Sequence, residues 1–421
     1  MGLAEDLRDK FKNDLSPELL RSRLLWRTAR RLARSRWNKP DWRADIVSLS
    51  FFLDRTERAF TGKGTVVWAN LLFPPELIHA VGACAFYPEM ASAVVASLGL
   101  APRFLDEAAA AGFTRDTCSF HRTALGAAAG GFYPAPEMLF SASYPCDSAS
   151  HTLNYLAEKL GAEYVGLDVP AHPDPVTLDI LAGQFEEAAL RLGARMGKRE
   201  SQVLEGLREA LVRSNQARSL LLDIGALRRE RPCPLSGREL PGQLSMISAA
   251  FGTEDGVRFF QMLRDQIVER RGAPSAAAQE ERTRLLWMHL RPYYPNGLAD
   301  WLEERGARVV CDEFALCTWE ELDPDDPYLS LARKVAGHFL VGPADRRARA
   351  MAALARDYQV DGAVHFNHWG CRQSCAGAPL VRSHLQNEGV PTLILEGDCV
   401  DEREYQEGQM RTRLEGFLES L

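Results

Sequence analysis

Short apolar runs alternate with segments of helical spacing in two separate parts of the chain. In the first part, the runs Thr65–Leu72, Leu139–Ser143 and Tyr164–Val169 predict strands. The segments Leu77–Gly82 and His151–Leu160, which lie between these runs, predict helices. Strand, helix and strand in this order indicate βαβ units, which build parallel sheets.

The second part of the chain repeats this alternation. Its predicted strands are Arg284–Leu290, Arg308–Cys311, Gly362–Phe366 and Pro391–Leu395. Its predicted helices are Gly297–Arg305, Tyr328–His338, Asp345–Tyr358, Leu380–Asn387 and Met410–Leu421, and helix-compatible sequence also runs from Gln373 to Leu385. Each part has a strand that ends close to a cysteine, so the two α/β units resemble each other weakly.

The residues between the two α/β units have a different pattern. From Pro175 to Arg271 the spacing is helical with few strand signals, and Ala273–Gln279 is the best candidate for a linker. We therefore expect an α/β protein of four parts. These are a helical N-terminal arm (1–60), a first α/β domain (61–175), a mostly helical segment (176–275) and a second α/β domain (276–421).

The net charge of the chain limits the classes of partner that it is expected to bind. The 421 residues include 50 basic and 57 acidic ones, a net charge of −7, which argues against a general role in nucleic-acid binding. The segment Arg21–Arg43 is nevertheless strongly basic and amphipathic. Such a helix can bind a membrane surface or an acidic partner. Packing on its own protein or on a sister subunit is the simpler interpretation, which we favour.

The sequence also indicates a compartment and a role for its cysteines. No apolar run reaches the length of about 18 residues that a membrane span needs. The N-terminal residues lack the continuous apolar segment of a secretory signal, so we expect a cytoplasmic protein. Nine cysteines in a chain without export argue against a disulfide framework. Packing, metal binding and catalysis are then the expected roles.

The stretch Asp361–Cys375 has the features of a ligand site at the end of a strand. Its apolar positions end in a turn at Gly370, which Cys371 and a helix-compatible segment follow directly. Ligands of open α/β sheets bind at such strand ends. A cysteine at a helix N-terminus is favoured as a thiolate by the helix dipole. The stretch therefore offers a soft, anionic ligand.

Two further cysteines share this context. Cys118 precedes the helix-like stretch Ser119–Ala129, and Cys146 lies between a predicted strand and a predicted helix. Because the carboxyl ends of parallel strands lie on one edge, these two thiolates and Cys371 can converge, which suits an iron–sulfur cluster. Three cysteines leave one iron open to substrate. The chain has no CxxC pair, so unrelated buried thiols are the alternative.

Several segments, in order, resemble the 2-hydroxyacyl-CoA dehydratase and benzoyl-CoA reductase family. They read PPELIHAVG, DTCSFHR, SYPCDS, VDGAVHFNHWGCRQS and GVPTLILEGDC. This resemblance covers roughly residues 65–170 and 280–421. It implies two Rossmann-like domains with a [4Fe–4S] cluster between them. By motif, the cluster ligands are Cys118, Cys146 and Cys371.

The resemblance also implies a function. We expect a subunit of a 2-hydroxyacyl-CoA dehydratase, which eliminates water from an acyl-CoA through a ketyl radical after activation by one electron. The implied partners are a homologous second subunit or a second copy, and an ATP-dependent iron–sulfur activator. Alternatives are a subunit of a benzoyl-CoA-type reductase, a non-catalytic electron relay, or a double-cubane protein in which Cys317 is a further ligand.

Each of the other polar residues near these motifs has both a functional and a structural interpretation. His368 is a candidate proton donor or a hydrogen-bond partner of the cluster, and Glu76 is a candidate acid of the substrate pocket. A loop contact and a helix-dipole interaction are their structural alternatives. The weaker candidates are His365, His121, Arg122, Arg372, Cys375, Asp398 and Asp401, while Cys84, Cys233, Cys311 and Cys399 are expected to be packing residues.

Overall fold

The structure is a computed structural model that describes residues 16–36, 43–235, 237, 240–271 and 281–421. Within these ranges, eight strands form two four-stranded sheets, and every pair of neighbouring strands is parallel. The prediction of an α/β protein with two parallel sheets is confirmed. The predicted boundaries of the four parts stay a prediction.

Two of the three strands predicted for the first sheet are shorter than the sequence suggests. Its strands are β1 (Val66–Ala69), β2 (Cys84–Phe86), β3 (Met138–Ala142) and β4 (Glu163–Leu167), in the order β2-β1-β3-β4. The sequence analysis does not identify β2. With only three residues, this strand carries too little of the period-two pattern to stand out from its surroundings.

The second sheet has the same strand order as the first. Its strands are β5 (Thr283–Met288), β6 (Ala307–Asp312), β7 (Gly362–His368) and β8 (Thr392–Gly397), in the order β6-β5-β7-β8. In both sheets the first strand along the chain lies inside, between the second and the third. The weak similarity of the two units in sequence therefore corresponds to one shared topology.

Helices connect the strands of each unit. Those of the first unit are Pro75–Ala80, Pro88–Ser97, Ala101–Ala110, Ser119–Ala129 and Asp147–Leu160. Those of the second are Leu298–Glu304, Pro327–Ala336, Ala344–Asp357, Arg372–Cys375, Ala378–Asn387 and Glu407–Glu419. The helix-compatible stretch from Gln373 to Leu385 contains parts of two helices, because the chain ends one helix at Cys375 and begins another at Ala378. Pro379, which has no N–H to donate, is tolerated only in the first turn of a helix.

Four helices follow the first sheet, in agreement with the expected helical segment. They are Pro175–Arg195, Glu200–Arg228, Leu240–Ala250 and Glu254–Arg271. The second of them packs closely on the helix Pro75–Ala80, since a Cβ on Gly206 would lie 2.1 Å from the carbonyl oxygen of Ala80. The expected linker Ala273–Gln279 lies outside the described residues.

The N-terminal helices pack on the same chain. In the helix Arg23–Arg36, the Trp26 ring stacks on Phe60 with centroids 5.9 Å apart. Arg30 of the same helix pairs with Asp54 at 3.1 Å. The interpretation of the basic segment as a helix packed on its own protein agrees with these contacts, although residues 37–42 are outside the described ranges. None of the helices described is both long enough and apolar enough to cross a membrane.

One continuous set of buried apolar side chains joins the two sheets through the helical segment. It includes Phe140 of β3, Leu211 of the helix Glu200–Arg228, and Leu285 and Phe366 of the second sheet. Burial of each such side chain contributes about 1.5–3 kcal/mol relative to exposure. The relative position of the two sheets is therefore fixed by shared hydrophobic packing.

The close packing of helix Ser119–Ala129 on helix Ala101–Ala110 can be tested at Gly126. A Cβ at this position would lie 2.0 Å from the carbonyl oxygen of Phe104, so we expect Gly126→Ala to destabilise the protein by at least about 1–3 kcal/mol in chemical denaturation. Gly183→Ala is the matched control, because nothing lies within 4 Å of a Cβ there, and it should stabilise by up to about 1 kcal/mol. Equal effects of the two substitutions would contradict the packing described.

Candidate active site

The three cysteines that the sequence singles out lie at the N-termini of three helices. Cys118 is the N-cap residue of the helix that begins at Ser119, Cys146 of the helix that begins at Asp147, and Cys371 of the short helix that begins at Arg372. None of the three side chains accepts a capping hydrogen bond. The sulfurs therefore lie where the helix dipoles favour a thiolate, and they make no capping hydrogen bond to the helix backbone.

The two α/β units bring these cysteines together. Burial raises the pKa of the Cys118 thiol well above its usual range, and the nearby sulfurs of Cys371 and Cys146 raise this pKa further. Burial, followed by the charge of Cys371, raises the pKa of Cys146 to about 12. Since each of these effects requires proximity, sulfurs from both units share one region of the protein.

Direct contacts hold the cysteine turns of the two units against each other. Gly370 has φ +74°, and a Cβ on it would lie 2.8 Å from the backbone nitrogen of Cys118. The Gln373 side chain donates to the Pro145 carbonyl oxygen at 2.7 Å, and Arg372 forms an ion pair with Asp147. Each contact joins the segment around Cys371 to the loops that carry the other two cysteines.

Asp398 adds a buried link at the end of β8. Its Oδ1 accepts a hydrogen bond from the Ser119 hydroxyl at 2.6 Å, and also accepts from the backbone N–H groups of Val400 and Asp401. Asp398 therefore holds the turn after β8 and also links this turn to the first unit. The Asp401 side chain accepts from the backbone N–H of Arg403, as a capping residue does.

Two histidines contact the cysteine sulfurs. The Nε2 atom of His368, which is 1% exposed, lies 3.3 Å from the Cys118 sulfur. The Nε2 atom of His121 lies 3.5 Å from the Cys146 sulfur. Burial, followed by the charge of His368, lowers the pKa of His121 to about 4. Arg122, the neighbour of His121, donates to the Thr117 carbonyl oxygen at 2.9 Å and so supports the turn before Cys118.

Two other buried histidines lie near His368, since the ring centroids of His289 and His368 are 6.5 Å apart. His365 and His289 have centroids 6.5 Å apart, and their ring nitrogens have no hydrogen-bond partner among the residues the structure describes. His289 has φ 64° and its backbone N–H donates to Glu313 at 2.6 Å. His289 is not predictable from the sequence, because no local pattern marks a histidine with positive φ.

The remaining cysteines differ in their distance from the site. Cys84 and Cys317 donate to the carbonyl oxygens of Arg55 and Trp319, and Cys375 donates to that of His368 at 3.3 Å. Cys399 is different. Burial raises its pKa well above the usual range, and Asp398 and the sulfurs of Cys118 and Cys371 add to this. Cys399, expected to be a packing residue, is therefore a fourth thiol, close to Cys118 and Cys371.

The donor set suits a cluster better than a single ion. Within the described ranges, no three His, Cys, Asp or Glu side chains are placed to hold one metal ion. The thiolates of a cubane lie further apart than the ligands of one ion, because each binds a different iron. Backbone N–H groups of the helix starts lower the pKa of each thiol, as with Ser374 and Cys371, although burial outweighs them. Soft thiolate ligands with N–H groups directed at them are those that iron–sulfur clusters use.

Glu76 is fully buried in an ion pair. Its Oε1 accepts from the Lys334 ammonium at 2.5 Å and from the Ser214 hydroxyl at 2.7 Å. Lys334 also lies 4.7 Å from the Trp319 ring centroid and 5.4 Å from that of Phe251. Burial opposes the charged carboxylate, but Lys334 and Ser214 hold the pKa of Glu76 below its usual range. These contacts join the first unit, the helical segment and the second unit.

Glu89 is a candidate that the sequence analysis misses. Its Oε2 is buried without a hydrogen-bond partner among the described residues, and burial raises its pKa to about 7. Its charge also raises the pKa of Cys146, so the two groups are near each other. Glu89 follows β2, the strand that the sequence pattern does not reveal. Recognition of that strand would have placed Tyr87, Pro88 and Glu89 at a sheet edge.

Comparison with known proteins identifies relatives along most of the chain. The family model described as 2-hydroxyglutaryl-CoA dehydratase, D-component, matches residues 70–421. The (R)-phenyllactyl-CoA dehydratase alpha subunit of Clostridium sporogenes is 24% identical over 369 residues, which are 85% of this chain and 89% of that protein. The (R)-2-hydroxyisocaproyl-CoA dehydratase alpha subunit of Clostridioides difficile is 23% identical over 399 residues, 90% of this chain and 96% of that protein.

A reductase is also among the relatives. One of the subunits of benzoyl-CoA reductase from Thauera aromatica is 24% identical over 348 residues, which are 75% of this chain and 79% of that protein. The family resemblance predicted from the sequence motifs is confirmed by these matches.

The buried ion pair between Glu76 and Lys334 generates a stability prediction. We expect Lys334→Met to destabilise the protein by about 3–5 kcal/mol in chemical denaturation, because the Glu76 carboxylate then stays buried without its partner. The double substitution Glu76→Gln with Lys334→Met removes both charges and should recover most of this loss.

The contribution of this ion pair to the stability of the protein depends on pH, and the direction follows from the lowered pKa of Glu76. Because the folded pKa of Glu76 is lowered, its stabilising contribution is present above the ordinary carboxyl pKa and is lost as the pH falls through the folded value. The double variant should lack this loss on acidification. A single variant as stable as the double one would contradict a buried, charged pair.

Proposed function

Since the chain belongs to the 2-hydroxyglutaryl-CoA dehydratase D-component family, we propose that it is the iron–sulfur subunit of a 2-hydroxyacyl-CoA dehydratase. The reaction eliminates water from a 2-hydroxyacyl-CoA to give the enoyl-CoA. The observation that carries the proposal is the convergence of Cys118, Cys146 and Cys371, which come from both α/β units and influence one another electrostatically. A site of this composition has no evident use in packing alone.

In this proposal Cys118, Cys146 and Cys371 hold a [4Fe–4S] cluster between the two units. When bound, the cluster supplies an electron of low potential and one iron without a protein thiolate, where a substrate oxygen can bind. The protein contributes a largely buried setting, in which Cys118 is 6% exposed and the Phe120 ring packs against His368. Exclusion of water and oxygen protects radical chemistry from side reactions.

The reaction requires such a setting because the β-proton of the substrate is not acidic. One electron on the thioester carbonyl gives a ketyl radical anion, which expels the neighbouring hydroxide. The resulting radical is far more acidic at its β-carbon, and loss of that proton gives a product ketyl. Return of the electron then releases the enoyl-CoA, so that hydroxide and a proton leave as water and no electron is consumed.

Glu89 is the group we propose for proton transfer in this sequence. Its buried Oε2 has no partner among the described residues, and with a pKa of about 7 the carboxyl can accept and return a proton near neutral pH. Glu76, the acid expected from the sequence, has a carboxylate engaged by Lys334 and Ser214, which supports a structural role in holding the two units and the helical segment together.

We infer partners from the same family. Each of the relatives described above is named as one subunit of an enzyme, so we propose that this chain pairs with a homologous second subunit or with a second copy. An ATP-dependent iron–sulfur activator would supply the electron. We place the reaction in the cytoplasm, where reduced cysteines persist.

Two alternatives each have a supporting observation. The relationship to a subunit of benzoyl-CoA reductase keeps a reductase of aromatic or other acyl-CoA substrates as the second candidate. The position of Cys399 favours a non-catalytic electron relay, since a fourth thiol near Cys118 and Cys371 could close the open iron. A change of the EPR spectrum on addition of 2-hydroxyacyl-CoA is expected for the enzyme and not for the relay.

The cluster ligands can be tested by iron analysis after anaerobic reconstitution. We expect Cys118→Ala, Cys146→Ala and Cys371→Ala each to lose most of the bound iron, because each removes one of three thiolates. Cys84→Ala is the matched control, since Cys84 is a buried thiol that donates to Arg55, and it should keep the iron of the unchanged protein. Full iron in the three site variants would refute the proposed ligands.

A further inference from the structure

The hydrogen bonds of His368 determine where its ring proton lies. The backbone N–H of Cys399 donates to Nδ1 of His368 at 3.1 Å. An amide nitrogen can only donate, so Nδ1 carries no proton and the imidazole is neutral. A neutral imidazole carries one proton, which must then be on Nε2. That nitrogen lies 3.3 Å from the Cys118 sulfur, so the N–H group is directed at the sulfur.

The surroundings of His368 fix the direction of this N–H group. Its backbone N–H donates to the Ser374 hydroxyl oxygen at 3.0 Å, and its carbonyl oxygen accepts from the Cys375 thiol at 3.3 Å. Phe120 packs edge-on against the ring with centroids 5.3 Å apart, and His289 stacks on it at 6.5 Å. The ring is therefore held at its backbone, on its nitrogens and on its faces.

We propose that His368 is a positioning residue that sets the reduction potential of the cluster through an N–H···S bond to Cys118. The inference rests on the proposed function, because it requires a cluster at this cysteine. Hydrogen bonds to the sulfurs stabilise the more negative, reduced state, and so they raise the potential of a cluster. The low dielectric of a buried site strengthens this effect.

This role differs from that of a proton donor to substrate. The single N–H group of the His368 ring donates to a sulfur, and the other ring nitrogen accepts from a backbone amide. His365, on the same strand, has no such contact, as its ring nitrogens lack partners among the residues described. The two histidines are therefore a natural pair of test and control.

The tautomer can be measured on the full-length, metal-free protein. With 15N-labelled histidine, NMR should find His368 neutral, with Nε2 protonated and Nδ1 bare, and His368→Gln assigns the signal. A proton on Nδ1, or a doubly protonated ring near neutral pH, would overturn the hydrogen bond to sulfur.

The redox role is measured on the reconstituted protein by iron analysis and an EPR-monitored potential titration. We expect His368→Phe to keep its iron and to titrate at a more negative midpoint potential. His368→Gln, whose amide can donate, should lie closer to the unchanged protein, and His365→Phe should not shift. Loss of iron from His368→Phe that His368→Gln restores also supports the donor role.

Three results oppose the proposal in different ways. An unchanged midpoint in His368→Phe, or an equal shift in His365→Phe, overturns the redox role of His368. Loss of iron from both His368 variants, while the unchanged protein keeps it, means that His368 only supports the structure. Absence of iron from the unsubstituted protein would refute the proposed function and the redox role together. The NMR measurement would still show whether Nε2 of His368 carries the proton.

Discussion

The candidate site depends on the contact between Gly370 and the backbone at Cys118. Any side chain at Gly370 would collide with that backbone, and its φ of +74° is one that other residues adopt only with strain. The missing Cβ lets the turn after β7 approach the first unit within van der Waals distance. The hydrogen bonds from Gln373 to Pro145 and from Ser119 to Asp398 join the two units beside this close approach.

Burial and helix dipoles act in opposite directions on the three thiols. Burial disfavours their ionised forms, whereas each sulfur lies at the positive end of a helix. Without a cation the balance favours neutral thiols, and their pKa values are raised. A cationic group among them would reverse the balance, since it supplies the charge that the apolar surroundings lack. The environment thus discourages free thiolates while remaining suited to metal-bound ones.

Much of this architecture follows from local sequence, and the rest from contacts between distant residues. All of the described strands except β2, and the contexts of Cys118, Cys146 and Cys371, are visible in the pattern of apolar runs and turns. The three-residue strand β2 is too short for that pattern, and Glu89 was missed with it. The partner of Glu76 is Lys334, 258 residues away, and no periodicity links two such positions.

The order of the ligands along the chain has a consequence for biosynthesis. Cys118 and Cys146 belong to the first unit, whereas Cys371 belongs to the second, and the helical segment lies between them. A nascent chain on the ribosome therefore has no complete set of thiols until the second unit has been made and both sheets have docked. Under the proposed function, cofactor loading would follow synthesis of the second unit and would select chains that have already reached their native arrangement.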